Sequence, residues 1–256
     1  MSANPESLAV NWVRRVGGMT LFFLQVCARL VPSFARPGLI VRQIYNAGAR
    51  SLVIVMLSGL FVGMVLGLLG FDTLQRFGSE DSLGVLAALG MLKVLGPVLT
   101  ALLFAGRAGT SLTSEIGLMK STDQLTAMQM MAVDPLRYVV APRFLGGIIA
   151  MPLLAATFSV VGLFGAQLIG VQQMGVDAGA FWSQTQNAVD LHDVNEGIVK
   201  SLVFGIACSL IAVFEGYQCE PTPEGVGLAT TRTVVTSSVM VLLLNYLLTA
   251  AFLTRS

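Results

Sequence analysis

The sequence predicts an all-α integral membrane protein, and three observations support this prediction. Apolar residues make up 55% of the 256 residues and charged residues only 11%, whereas about a quarter of the residues of a typical soluble domain are charged. Five long stretches carry almost no charge, and each can cross a bilayer as a helix. Basic residues collect on one side of the resulting topology. We therefore expect an interfacial amphipathic helix within residues 1–48 and a five-span domain at residues 49–256.

The N-terminal region combines arginines with a short apolar run, Val16 to Ala28. This run is shorter than the roughly 20 residues that a transmembrane helix needs, so it predicts an amphipathic helix lying on the membrane surface. Its inward side is expected to carry the apolar residues Trp12, Leu21, Phe22 and Leu24. A cleaved signal peptide is the alternative, but no small-x-small cleavage pattern follows the run. Pro32 and Pro37 are expected to end the helix before the first span.

The first span is expected at residues 51–71, because no charge occurs between Arg50 and Asp72. This span carries three glycines at four-residue spacing, Gly59, Gly63 and Gly67. Such spacing lets a second helix approach the backbone closely. The contact could lie within one subunit or between two subunits.

The second span is expected at residues 83–106 and contains one charge, Lys93, followed by Gly96 and Pro97. A lysine inside a membrane is costly and usually faces protein or water instead of lipid. Lys93 could bind an anionic headgroup, or it could snorkel or pair with a polar neighbour. Pro97 removes a backbone hydrogen bond and favours a kink beside the lysine.

A polar, methionine-rich stretch, residues 102–143, separates the second span from the third. Ser121 to Gln124 has the spacing of a capping box and Asp134-Pro135 ends the pattern, which predicts a helix of about three turns from Thr122 to Val133. One face of this helix would carry Thr122, Leu125, Met128 and Met131 or Ala132. A short helix bearing methionines suits the docking of a soluble partner. An interfacial helix lying against lipid is the alternative.

The remaining three spans are expected at residues 144–172, 197–214 and 233–253. The loop before the fourth span is acidic and contains His192, but it lacks the spacing of metal ligands, so a solvated acidic loop is favoured over a metal site. Lys200 lies near the outer end of the fourth span, where its stem could snorkel. The cysteines are few and scattered, at Cys27, Cys208 and Cys219. They indicate neither a disulfide framework nor a zinc site.

The distribution of basic residues predicts the orientation. With the N-terminus in the cytoplasm, eleven of the fifteen basic residues lie on the cytoplasmic side, namely Arg14, Arg15, Arg29, Arg36, Arg42, Arg50, Arg107, Lys120, Arg137, Arg143 and Arg232. The positive-inside rule favours this topology, with the C-terminus outside. It also places residues 102–143 in the cytoplasm.

Motifs for several enzyme classes are missing from the sequence. No GxxxxGK[ST], HExxH or GxSxG pattern occurs, so we expect no catalytic residues for nucleotide hydrolysis, zinc proteolysis or esterase chemistry. A Ser/Lys dyad using Lys93 stays open as an alternative.

The spans also indicate how a transporter of this kind would be energised. They are expected to hold only Lys93 and Lys200 as ionisable groups, whereas ion-coupled carriers generally need intramembrane carboxylates or histidines. A transporter built from this chain would therefore take its energy from a partner. Five spans are few for a closed pathway, which favours a two-fold dimer. An ion-coupled carrier of an amphiphilic anion and a non-transporting intramembrane enzyme or scaffold are the alternatives.

Four segments of the chain closely resemble the MlaE permease family, the membrane subunits of the ABC transporter that maintains lipid asymmetry in the Gram-negative outer membrane. They are SGLFVGMVLGLLG (58–70), LGPVLTALLFAGRAGTSLTSEIGLMKSTDQLTAMQMMAVDPLRYVVAPRF (95–144), FWSQTQNAVD (181–190) and ATTRTVV (229–235). The resemblance covers nearly everything after residue 38. The run that joins GRAG, EIGLM and MAVDP is more specific than any single short motif.

The resemblance implies a non-catalytic permease subunit in the bacterial inner membrane. It implies a homodimer that works with two cytoplasmic ATPase subunits, a STAS-domain subunit and a ring of periplasmic MCE domains that bind lipid. Glycerophospholipids would pass through an outward-open cavity between the two permeases. ATP and magnesium would bind to the partner ATPase, and this chain would hold no cofactor and no metal.

The resemblance also implies roles for individual residues. A coupling helix at about residues 118–135 would contact the ATPase, together with neighbours in the preceding helix; the residues concerned are Glu115, Leu118, Met119, Leu125, Met128, Met131 and Asp134. The lipid cavity would be lined by Leu66, Leu69, Leu74, Phe77, Lys93, Val94 and Leu95. The glycines of the first span would serve helix packing or the dimer contact.

One departure from the family pattern concerns the lysine of the second span. Where the pattern reads Leu-Arg-Glu-Leu-Gly-Pro, this chain reads Leu92-Lys93-Val94-Leu95-Gly96-Pro97. Val94 replaces the carboxylate beside the basic residue. Lys93 is therefore expected to be freer to meet a lipid phosphate.

Overall fold

The computed structural model describes residues 17–30 and 37–254, which are mostly helical, with no strand in these ranges. The all-α prediction is confirmed. The predictions made for Trp12 and Pro32 lie outside the described residues.

Eleven α-helices succeed one another along the described part of the chain. They are α1 (Gly17–Leu30), α2 (Pro37–Ile44), α3 (Arg50–Arg76), α4 (Leu83–Leu89), α5 (Gly96–Phe104), α6 (Thr110–Ser121), α7 (Gln124–Met130), α8 (Ala141–Gln172), α9 (Ala178–Ala188), α10 (Leu191–Gln218) and α11 (Pro223–Leu253). Shorter helical turns join several of them. π-Helical turns occur at Tyr45–Ala49, Gly90–Leu95, Ala105–Gly109 and Leu136–Val140, and a 3-10 turn at Glu80–Ser82.

These elements form five continuous helical segments that are long and apolar enough to cross a membrane. We call them spans 1 to 5: Gly38–Arg76, Glu80–Ser121, Leu136–Gln172, Leu191–Gln218 and Pro223–Leu253. The five-span prediction is confirmed. The segments exceed the predicted lengths because the helices continue into the polar flanks of each apolar stretch.

Span 4 begins at Leu191, well before the predicted residue 197. Asp190 and Asp193 form a capping box at its start, in which the Asp190 N–H donates to Asp193 Oδ2 over 3.2 Å. This pairing satisfies N–H groups that the first helical turn leaves without partners. The expectation of a solvated acidic loop is therefore wrong for Asp193 and Glu196, which are buried in the first turns of α10.

The glycines of span 1 pack against α8 of the same chain. Gly59 lies on Phe158, Gly63 on Gly162 and Gly67 on Ala166. The backbones approach so closely that a Cβ atom added to Gly63 would lie 1.9 Å from the Gly162 carbonyl oxygen. Of the two contacts left open by the sequence, the one within a subunit is the one that the structure contains.

Helix α1 is amphipathic as predicted, but only Phe22 of the described residues expected on its inward side is buried in the chain. Phe22 and Val26 are buried, and the ring of Phe22 lies 5.6 Å from that of Phe214 in α10. Leu21 and Leu24, which were expected to point inward, are exposed. The helix is turned so that α1 covers the N-terminal part of α8 and the C-terminal part of α10.

Candidate functional site

Two features of the structure carry the candidate function. The first is the polar connection between spans 2 and 3, residues 118–135, which we call the coupling segment. The second is a group of four charged side chains, Lys93, Asp193, Glu196 and Lys200, which we call the ionic cluster.

The coupling segment contains a shorter helix than predicted. The hydroxyl groups of Ser121 and Thr122 both donate to the Leu118 carbonyl oxygen, over 3.0 and 2.8 Å, and so close the preceding helix α6. Asp123 then adopts a left-handed conformation with φ of 57°, and α7 runs only from Gln124 to Met130. The predicted capping box is wrong, because these side chains end one helix and do not begin the next.

The inner face of α7 is used within the chain. Leu125 is buried and Met128 is half-buried in a hydrophobic cluster that includes Phe22 of α1, Phe144 of α8 and Val213 of α10. The predicted stripe of Leu125 and Met128 is therefore a real face, but it packs against the rest of this protein.

The outer face of the coupling segment carries exposed methionines. Met130 is 86% exposed and Met131 is 67% exposed. Met131 follows the last residue of α7. It therefore does not lie on the same helix face as Met128, as it would in the longer helix that the sequence predicted. The sequence did not predict Met130 as an exposed contact residue. Which methionine faces outward depends on the residue at which α7 begins, and the sequence did not locate that residue correctly.

Ion pairs and hydrogen bonds anchor both ends of the coupling segment. Asp134 forms an ion pair with Arg29 of α1, and its Oδ1 accepts from the Leu136 N–H over 3.0 Å. Glu115 in α6 pairs with Arg143 in α8 at 3.3 Å. Two of the predicted coupling residues are thus engaged inside the chain.

The other predicted coupling residues differ in how accessible they are. Leu118 and Met131 are exposed, while Met119 packs partly against the same hydrophobic cluster as Met128. The Lys120 amine donates to the Tyr217 carbonyl oxygen over 2.9 Å and so ties α6 to the end of α10. The coupling segment therefore has an exposed outer surface, while its inner side is held by contacts with α1, α8 and α10.

The ionic cluster links spans 2 and 4. Lys93 Nζ lies 2.6 Å from Asp193 Oδ1 and 3.9 Å from Glu196 Oε2, and Lys200 Nζ lies 2.6 Å from Glu196 Oε1. Two positive and two negative groups thus balance each other. Lys200 is completely buried, whereas the side chain of Lys93 is 33% exposed.

A proline explains how the cluster is completed. Pro97 has no N–H group, so the carbonyl oxygen of Lys93, four residues earlier, lacks its usual helical donor. Lys200 Nζ donates to this oxygen over 3.0 Å. A π-helical turn, Gly90–Leu95, lies directly before α5, next to the position where a kink was expected. The backbone defect and the buried lysine therefore compensate each other.

Three expectations are wrong at this cluster. Lys93 is not left without a carboxylate, because Asp193 of span 4 pairs with it while Val94 is exposed. Lys200 does not snorkel, since it is enclosed and paired with Glu196. Span 4 also holds three buried carboxylates, Asp193, Glu196 and Glu215, although the sequence was expected to place none in the spans.

The predicted cavity residues fall into separate groups in the single chain. Leu66 and Leu74 pack partly against a hydrophobic cluster around Phe71 and Leu83. Leu69 on span 1 and Phe77, which directly follows that span, are exposed. The structure thus leaves the predicted cavity face partly open, and does not gather all seven residues in one pocket of the described chain.

The carboxylates of the ionic cluster also lie near His192. One ligand atom from each of His192, Asp193 and Glu196 lies within 4.8 Å of the others. Both carboxylates, however, already form ion pairs with lysines, and His192 is exposed. A cation at this position would face two ammonium groups, so these residues suit an ionic contact between helices better than a metal.

Comparison with known proteins identifies sequence similarity over nearly the whole chain. A model of the family described as Permease MlaE matches residues 40–251. The Haemophilus influenzae intermembrane phospholipid transport system permease protein MlaE is 55% identical over 213 residues, which cover 83% of this chain and 82% of that protein.

More distant relatives carry related names. A probable ABC transporter permease protein of Rickettsia typhi is 36% identical over 94% of this chain and 93% of its own length. A probable ABC transporter permease protein of Synechocystis is 31% identical over 93% of this chain and 90% of its own length. The similarity includes the two candidate sites, since the matched residues 40–251 contain both the coupling segment and the ionic cluster.

Proposed function

Since this chain belongs to the MlaE permease family and is a multi-pass membrane permease, we propose that it is the permease subunit of an ABC transporter for glycerophospholipids. The transporter would move these lipids between the inner membrane and periplasmic lipid-binding partners and so maintain outer-membrane lipid asymmetry. The name of the Haemophilus relative supports phospholipid as the substrate, and the names of the Rickettsia and Synechocystis relatives support the ABC class.

The observation that carries this proposal is the construction of the coupling segment. A partner that delivers mechanical work needs an exposed surface that is rigidly connected to the spans. Met130 and Met131 supply the exposed surface, while Leu125 and the Arg29–Asp134 pair fix the segment to α8, α10 and α1. Methionine side chains adapt to irregular partner surfaces. We therefore assign Leu118, Met130 and Met131 as the contact with the ATPase.

The energy source belongs to the partner in this proposal. ATP and magnesium bind to cytoplasmic ATPase subunits, and this chain does not hydrolyse ATP. A STAS-domain subunit and periplasmic MCE-domain proteins complete the assembly. The excess of basic residues on the side of the coupling segment supports a cytoplasmic position for that segment and for the N-terminus.

The lipid pathway is proposed to lie between two copies of the chain. Leu69, Phe77 and Val94 expose apolar surface, and Lys93 exposes part of its side chain beside Val94. Such a surface can receive the acyl chains and the phosphate of one lipid. The phosphate would have to compete with Asp193 for the Lys93 amine. The glycine stripe of span 1 is occupied by α8, so the dimer contact must use other faces.

The ATPase contact is tested by placing negative charge on the exposed methionines. A chain carrying both Met130→Asp and Met131→Asp should fold and insert but lose the co-purifying ATPase, because charge enters an apolar contact. Ser79→Asp is the matched control, since Ser79 is exposed in the connection between spans 1 and 2. Unchanged recovery of the ATPase with the double variant would overturn the assignment. Met128→Asp is unsuitable, since Met128 is half-buried.

An ion-coupled carrier is the second candidate, and the structure supplies one observation in its favour. Asp193 and Glu196 are buried carboxylates in a span, the kind of group that proton-coupled carriers use. Both are neutralised by lysines, which favours a structural contact between spans 2 and 4. Lipid movement by the purified chain in liposomes, driven by an ion gradient alone, would favour the carrier.

A further inference from the structure

An apolar groove of about 300 Å³ lies between the start of span 1 and the middle of α8. Its lining includes Val41, Tyr45, Ala49 and Leu52 from span 1, and Leu153 and Thr157 from α8. The Thr157 hydroxyl is already used within α8, where it donates to the Leu154 carbonyl oxygen over 2.8 Å. Neither the ionic cluster nor the coupling segment contributes a residue to it.

The π-helical turn Tyr45–Ala49 forms one wall of this groove. Arg107 of span 2 donates to the Asn46 carbonyl oxygen over 3.2 Å and to Ser51 Oγ over 2.8 Å. Ser51 Oγ in turn donates to the Ala47 carbonyl oxygen over 2.6 Å. Side chains from two spans therefore stabilise the turn. π-Helical turns are rare and often occur at functional sites.

Small residues, Gly48 and Ala150, pack against each other at the floor of the groove. Gly48 is buried against α8, and a Cβ atom at this position would lie 3.5 Å from the Ala150 Cβ. Ala49, by contrast, is exposed at the mouth of the groove. The groove thus opens outward, away from the contact between span 1 and α8.

The charges of span 1 place the groove at the boundary between headgroups and hydrocarbon. The uncharged part of span 1 begins directly after Arg50, so the groove extends from the polar flank into the apolar part. Arg42 and Arg50 are exposed and directly follow the lining residues Val41 and Ala49 in the sequence. Tyr45 is also exposed, at the level where tyrosines are enriched in membrane proteins. No lining residue is acidic.

We propose that this groove binds one phospholipid of the surrounding leaflet, separately from any transported lipid. One acyl chain lies along Leu52 and Leu153, and the phosphate faces Arg42 and Arg50. Because both flanking charges are positive, anionic headgroups bind in preference to zwitterionic ones. The bound lipid contacts the π-helical turn that Arg107 stabilises.

The site is tested by photo-crosslinking of the full chain in nanodiscs. The probes are phosphatidylglycerol and phosphatidylcholine that carry a diazirine on an acyl chain, and labelled peptides are mapped by mass spectrometry. Residues 41–52 and 150–157 should be labelled several-fold more than the segment from Val160 to Phe164, whose two end residues are exposed on the same helix α8. Phosphatidylglycerol should label the groove more strongly than phosphatidylcholine.

Two pairs of variants separate the groove from general lipid contact. Ala49→Phe fills the groove from its exposed side and should abolish the excess labelling, whereas Val65→Phe, at an exposed position of α3 outside the groove, should not. Arg42→Gln should remove the preference for phosphatidylglycerol, whereas Arg76→Gln at the far end of α3 should preserve it. Unchanged thermal melting in detergent shows that each variant folds.

Three results would overturn the proposal. The first is labelling of the groove no stronger than that of the Val160 segment. The second is excess labelling that survives Ala49→Phe. The third is crosslinking of the groove to another polypeptide instead of lipid in the assembled complex, which would identify the groove as a protein contact.

Discussion

Single residues in this protein show how a charge can be kept inside a membrane span. Lys200 is fully buried, yet its ammonium group contacts Glu196 and the carbonyl oxygen that Pro97 leaves without a helical donor. A buried charge is tolerated when its ionic and hydrogen-bonding partners are present, and it is costly when one partner is removed. Lys93 differs, because a third of its side chain is exposed. The two lysines are therefore expected to respond differently to mutation.

Lys200→Met should destabilise the folded chain, because it leaves the buried Glu196 without its main partner. Breaking a buried ion pair in this way costs about 3–5 kcal/mol, and the lower end applies here since Lys93 remains within reach of Glu196. The measurement is the melting temperature of the detergent-solubilised protein. The double variant Lys200→Met, Glu196→Gln should recover much of the loss. A single variant that melts like the unmodified protein would contradict the assigned pairing.

Lys93→Ala should reduce the amount of phospholipid that co-purifies with the chain, because it removes the partly exposed lysine side chain beside Val94. Asp193→Asn should retain or increase the lipid, since it releases the Lys93 amine from its ion pair. Quantitative lipid extraction and mass spectrometry measure the effect, with Arg76→Ala as a control at an exposed basic residue. Equal lipid in Lys93→Ala and in the unmodified protein would make Lys93 a purely structural residue.

At the scale of helices, a close contact joins the middle of α3 to the second half of α8. Three glycines of α3 lie on the α8 backbone, and Gly165 of α8 packs in return against Leu60. Close approach of this kind supplies packing where apolar lipid provides little driving force for helix association. The contact also fixes the distance between span 1, which carries the proposed groove, and span 3, which begins at the coupling segment.

Gly63→Ala should disrupt this contact. The added Cβ would meet the Gly162 carbonyl oxygen at 1.9 Å, so the two backbones must separate. Overpacking costs about 1–3 kcal/mol and occasionally more, and a backbone clash belongs at the upper end. Gly106→Ala is the control, because its Cβ would have no neighbour within 4 Å. The melting temperature should fall only for Gly63→Ala, and a similar response of both variants would refute the packing argument.

The elements also show which parts of the fold could be predicted from sequence. The five spans were predictable, because a charged residue is unfavourable in hydrocarbon wherever it occurs. A long stretch without charge can therefore be recognised without knowing any contact between distant residues. The start of α7 was not, because Ser121 and Thr122 can either begin one helix or end another, and the packing of Leu125 decides between these possibilities. The same uncertainty hid Met130 as an exposed residue.

At the scale of the whole molecule, contacts between distant residues account for the remaining errors. Lys93 pairs with Asp193 across two spans, and no local pattern connects them. The four-residue glycine spacing predicted a close helix contact correctly, but only the structure identifies α8 as the partner. The family resemblance, in contrast, was readable from contiguous motifs, and the match over residues 40–251 confirms it.

The overall arrangement favours a permease whose conformational change is driven by a partner protein. The coupling segment, which has an exposed surface, packs against three helices. The partly exposed lysine of the ionic cluster, Lys93, lies beside apolar surface on span 2. Lipid binding and energy input are therefore assigned to different parts of the same chain. The central claim is that phospholipid movement requires an ATPase acting through residues 118–135.

Reconstituted transport tests this claim most directly. The chain is placed in liposomes with or without its ABC ATPase, and transfer of labelled phospholipid to an acceptor is measured. We expect transfer that requires both ATP and the ATPase and that is lost in the chain carrying Met130→Asp and Met131→Asp. Transfer by the chain alone under an ion gradient, or unchanged ATP-driven transfer by that double variant, would contradict the claim.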